Sequence, residues 1–158
     1  MGYDLQAVIA DAEALRAVAR DLPRAQLASI GQGLSLMPMT DALFDSVTDG
    51  GGTGDLGFWR LPGGFEKSLA AWSAAGPVAY VEAEYFGGVG EQRAAVWDGG
   101  TIALGPLHEE PGRRLPLDGS PVSQALRWLG VVATAGQDEF SAVGLDRHRH
   151  SEDWIADA

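Results

Sequence analysis

The chain has 158 residues, with 22 Asp plus Glu against 11 Lys plus Arg and a formal charge of −11. That balance opposes phosphate backbones and anionic membrane surfaces, so neither nucleic acid nor a membrane is expected as a partner. The absence of Cys excludes disulfides, thiolate metal sites and Cys nucleophiles, while 46% hydrophobic residues at this length suit one domain over 1–158 with a real core.

Leu5, Val8, Ile9, Ala12, Leu15 and Ala19 follow helical spacing. They predict an amphipathic helix over 4–21, capped by Asp4 and ended by Leu22-Pro23. Residues 25–39 read as extended, with Gly31-Gln32-Gly33 as a turn. Thr40-Asp41 caps a short helix through Val47. The glycine-rich stretch 49–55 reads as a flexible surface loop. Phe58-Trp59-Arg60-Leu61 is a compact aromatic segment, and 65–75 is a helix stopped by Gly76-Pro77.

The middle of the chain is β. Between 78 and 86, Ala79, Val81, Ala83 and Tyr85 alternate with Tyr80, Glu82 and Glu84. A glycine turn at 87–90, a strand from Gln92 to Trp97, the turn Asp98-Gly99-Gly100 and a strand from Thr101 to Leu104 complete a three-stranded meander. A two-residue turn at Gly87-Gly88 sets Glu82 opposite Arg93. A four-residue loop sets Glu84 opposite Arg93, and either register makes Arg93 a structural partner of a carboxylate. Residues 105–119 read as a polar loop, and Ser120-Pro121 starts a helix over 121–129 closed by Gly130. Asp138-Glu139-Phe140, a charged run 146–150 and a last helical turn near 151–155 follow.

Four residues stand out as a partner-binding surface: Tyr80, Glu82, Glu84 and Gln92 with the turn 87–90. The hydrophobic face of the strand is needed against helices, which leaves the polar face for recognition. Glu82 and Glu84 also project from one face ~7 Å apart, a spacing that could serve a small hydrolase or lyase with paired carboxylates. A structural or regulatory homo-oligomer is a third reading. The glycine turn 87–90 is followed by a strand, so it is a hairpin and not a phosphate loop. His148 and His150 beside Glu152 and Asp153 are the weak metal candidates. Arg147 and Arg149 oppose a cation there, so no metal or cofactor is expected. The five tryptophans read as core or core-edge residues.

Met1-Gly2-Tyr3-Asp4 shows no basic leader, and no apolar run approaches a membrane span, so a cytoplasmic location is expected. Lys67 is the sole lysine against ten arginines, a skew that points to a GC-rich bacterial genome.

Three blocks carry a resemblance. They are Leu34-Ser35-Leu36-Met37-Pro38-Met39-Thr40-Asp41, then 80–92, then Asp138-Glu139-Phe140 with Gly144-Leu145 and 147–154. The chain resembles a group of small uncharacterised actinobacterial proteins similar to immunity proteins of polymorphic toxin systems. The resemblance implies a non-enzymatic binding protein and carries no catalytic residues. Its acidic charge fits a basic toxin as partner, because opposite charge steers association. The expected fold is one α+β domain: an antiparallel sheet centred on 78–104, extended by 25–39, with helices on one face.

Overall fold

A computed structural model describes residues 2–48, 50, 57–86, 89–109 and 119–157. The chain opens with strand β1 (Tyr3–Asp11), and helix α1 (Ala12–Ala19) follows. The expected helix over 4–21 is thus half strand. Leu5, Ala7 and Ile9 face one core while Val8 and Ala10 face another. A strand buried on both faces reads as a continuous apolar run, and its positions also satisfy helical spacing, so periodicity alone does not separate the two. The N-cap is Asp11, which accepts from the N–H groups of Glu13 and Ala14.

Strands β2 (Ala28–Ser29) and β3 (Leu34–Pro38) form the expected extended region. Helix α2 (Asp41–Val47) starts as expected at Thr40, whose hydroxyl accepts from Leu43 N–H at 3.2 Å. Helix α3 (Phe65–Trp72) runs into a 3-10 turn at Ser73–Ala75. The meander follows as β4 (Val78–Phe86), β5 (Val89–Asp98) and β6 (Thr101–Glu109). Helices α4 (Pro121–Trp128) and α5 (Glu139–Ala142) and 3-10 turns at Leu145–Arg147 and Ser151–Asp157 complete the chain.

The six strands form one antiparallel sheet in the order β2-β3-β1-β4-β5-β6. The fold is α+β, as expected. Phe86 faces Val89 and Glu82 faces Arg93, the register of the two-residue turn. Asp98 faces Thr101 across Gly99-Gly100, both at positive φ, the conformation that closes a tight hairpin. Residues 105–109, expected in a loop, continue β6. This edge strand is irregularly registered against β5 and includes Pro106, which lacks an N–H. Bulges and proline are features that discourage edge-to-edge pairing. The expected loop at 49–55 falls outside the described residues except for Gly50, as do residues 110–118 and the turn residues 87–88.

Helices cover both faces of the sheet, not one. The first face packs Leu5, Ala79, Val81 and Val96 against Val122 and Leu126 of α4 and against Leu145 and Trp154. The second packs Val8, Tyr80 and Trp97 against Leu15 of α1, Leu43 of α2 and Leu69 of α3. The second core forms because the polar groups on that side of β4 find partners within it.

Candidate interaction surface

The proposed recognition residues divide between the two faces, and three of them are buried. Tyr80 and Glu82 are fully buried, Gln92 is 5% exposed, and Glu84 is exposed. The open polar face expected on β4 is therefore roofed. Its cover is the aromatic segment 57–62, a strap crossing the second face of the sheet, with Phe58 and Leu61 in the core.

Glu82 holds that strap. Its two carboxylate oxygens accept from consecutive backbone N–H groups, Trp59 at 2.6 Å and Arg60 at 2.7 Å. The Tyr80 hydroxyl lies 3.0 Å from the Arg60 carbonyl and 3.1 Å from Glu82 Oε2, and shares its proton between them. Phe58 packs edge-on against the Tyr80 ring at 5.0 Å. Outside this layer, the Arg93 guanidinium lies 4.1 Å from the centre of the Trp59 ring. Arg60 reaches the Met39 carbonyl at 3.2 Å and pairs with Asp41, tying the strap to the start of α2.

Burial pushes the Glu82 carboxyl above its ordinary value of 4.5. The N–H groups of Trp59 and Arg60, the Tyr80 hydroxyl and the Arg93 charge oppose that shift. Tyr80 is pushed well above its ordinary value, first by burial and then by the neighbouring Glu82 carboxylate. Both Glu82 oxygens are engaged by the strap, so the Glu82/Glu84 pair does not present two carboxylates to a common substrate.

Gln92 faces the other way. Directly opposite residues of an antiparallel ladder share a face, and Gln92 lies opposite Ala83. There its Oε1 accepts from Val122 N–H at 2.9 Å, and its amide donates to the Tyr85 hydroxyl. It thereby anchors the first turn of α4 to the sheet. Arg93 is structural, as expected: it lies opposite Glu82, covers Trp59 and pairs with Glu91 at 3.1 Å.

Glu84 alone of the four faces solvent. Glu91 stands directly opposite it, and Glu91 also meets His108 at 3.2 Å. The two weak metal candidates are separated in role. The His148 ring packs edge-on against Trp154 at 4.7 Å, and His150 forms a parallel bridge with Asp4. Among the described residues no group of three or more His, Asp or Glu is placed to hold a metal ion. A crevice of about 300 Å³ between α1 and α3 is lined by apolar residues such as Ala14, Val18, Ala71 and Trp72. That lining brings no acid, base or nucleophile to bear. Of the tryptophans, Trp97 and Trp154 are buried, Trp59 and Trp72 lie at the core edge, and Trp128 is 45% exposed.

Sequence reasoning missed the strap over Glu82. The available signal was Phe58-Trp59-Arg60-Leu61, an aromatic block that needed an apolar surface to cover. Among the described residues no helix is long and apolar enough to cross a membrane. No family model, no curated protein and no solved structure matches the chain.

Proposed function

We propose that the chain is a non-enzymatic cytoplasmic binding protein that neutralises a basic protein partner through its acidic surface, as an immunity protein does with a toxin. One observation carries this reading: exposed Glu84 stands directly opposite Glu91 on the sheet ladder. Like charges in that position work against folding by about 0.2–1 kcal/mol; Arg93, 3.1 Å from Glu91, offsets part of this, and a cationic partner group facing Glu84 would relieve the rest. The net charge of −11 acts in the same direction, drawing in a basic protein and raising its association rate.

The test is capture of the partner from the native host, followed by association kinetics. A basic partner should associate more slowly as salt rises, and more slowly with Glu84→Lys at low salt. An acidic partner, or association indifferent to both salt and Glu84→Lys, would overturn the reading.

A further inference from the structure

β3 pairs with β1 only over Ala7 to Asp11, whereas β4 runs along β1 from Tyr3 to Ala10. Just beyond β3, Met39 N–H still donates to the Gln6 carbonyl at 2.8 Å. The N–H groups of Asp4 and Gln6 on that edge are left for another segment, and 145–157 takes them. Asp4 N–H donates to the Arg149 carbonyl at 2.6 Å, within a parallel bridge between Asp4 and His150. Gln6 N–H donates to the Ser151 hydroxyl at 3.0 Å, which in turn donates to Gln6 Oε1 at 3.2 Å. Three residues on, Trp154 is fully buried in the first core. Arg147, four residues before Ser151, donates to the Ser29 carbonyl at 2.6 Å, and its guanidinium lies 5.1 Å from the Trp154 ring centre.

We propose that this edge of β1 is an acceptor slot, occupied in cis by 145–157 and open to a partner peptide of the same chemistry that pairs at Asp4 and then turns as the resident segment does. That peptide carries a hydroxyl residue, an aromatic residue three positions later and an arginine four positions before. It offers a carbonyl to Asp4 N–H and a hydroxyl to Gln6 N–H, and it places the aromatic ring where Trp154 sits. Main-chain pairing to a free strand edge with a side chain in a pocket is a recurrent mode of peptide recognition.

Two features make the resident segment replaceable. It meets β1 through one bridge and the Ser151 hydroxyl, and then turns into 3-10 geometry, whose hydrogen bonds are weaker than a ladder's. The Trp154 Nε1 is buried with no acceptor among the described residues, so this occupant leaves a donor unpaired. Phenylalanine fills an apolar slot without that donor. The inference does not depend on the acidic-surface reading, because its probe is the chain's own segment.

Hydrogen exchange on the intact protein gives the first test. The Asp4 and Gln6 amides should exchange together with those of 149–155, at least ~100-fold faster than Val8 and Ile9 in the middle of β1. Exchange of all of them at one common rate overturns the proposal. The second test titrates a labelled synthetic peptide of residues 145–157 into full-length protein. Full-length Trp154→Ala should bind it at least ~tenfold more tightly than the unmodified chain, since the resident segment no longer competes. A Trp154→Phe peptide should bind at least as well, and a Trp154→Ala peptide should not bind. Equal binding to both full-length proteins, or none to either while near-ultraviolet circular dichroism shows the variant folded, overturns it. Should full-length Trp154→Ala fail to fold, the double variant Arg147→Ala/Ser151→Ala takes its place with the same expectations.

Discussion

Replacing Glu82 by Gln tests whether this carboxylate is a buried structural clamp. Glu82 accepts two backbone N–H groups at 2.6 and 2.7 Å, one on each oxygen. The carboxamide keeps one acceptor and turns a donor toward the other N–H, leaving it unpaired at a cost of about 1–3 kcal/mol. Against this, the variant buries no charge. The pH dependence separates the two effects. Burial raises the native Glu82 value above its ordinary 4.5, so between those values the folded state binds more protons than the unfolded state. Wild-type stability from this group is therefore fully present below about 4.5 and is lost as pH rises through the native value. Each tenfold difference in acidity between folded and unfolded states removes about 1.4 kcal/mol. The variant does not titrate at this position. Urea unfolding followed by tryptophan fluorescence should place Glu82→Gln below wild type by about 1–3 kcal/mol near pH 4.5. The gap should narrow at pH 7 to 8. A gap that is constant with pH, or that widens as pH rises, refutes the assignment of Glu82 as a desolvated clamp.

Glu82→Lys places a third cation beside Arg60 and Arg93 at a fully buried position and should abolish cooperative unfolding. Glu84→Lys, two residues away, should be neutral or stabilise by up to about 1 kcal/mol by removing the repulsion with Glu91; both are read by thermal denaturation. Gly90→Ala would set a Cβ 1.8 Å from Tyr85 Cδ1, so the ring must move, and a loss of about 1–3 kcal/mol in chemical denaturation is expected. Gln92→Leu leaves Val122 N–H without its acceptor and should cost about 1–3 kcal/mol, with earlier hydrogen exchange in the first turn of α4.

Local signals determined much of the architecture. Strict alternation from Val78 to Tyr85, the Asp98-Gly99-Gly100 turn, the Thr40 cap and the Ser120-Pro121 start each appear in the structure where the sequence placed them. These are contacts within a few residues, and the residues that make them are adjacent in the chain. Gln92, expected beside Glu82 on one polar face, lies on the other, opposite Ala83, although either hairpin register already pairs it with the apolar side of β4. Tertiary structure alone decided three things. Residues 5–10 satisfy both helix and buried-strand spacing, and pairing with β3 on one side and β4 on the other makes them a strand. The alternating polar face of β4 looks solvent-facing until a segment more than twenty residues earlier in the chain supplies N–H groups for the Glu82 carboxylate and a carbonyl for the Tyr80 hydroxyl. Trp154 enters the core only because a segment about 145 residues away offers the edge of β1 to Arg149 and Ser151. A polar side chain is buried when its hydrogen-bonding partners are buried with it, and those partners are set by long-range folding that no local pattern encodes.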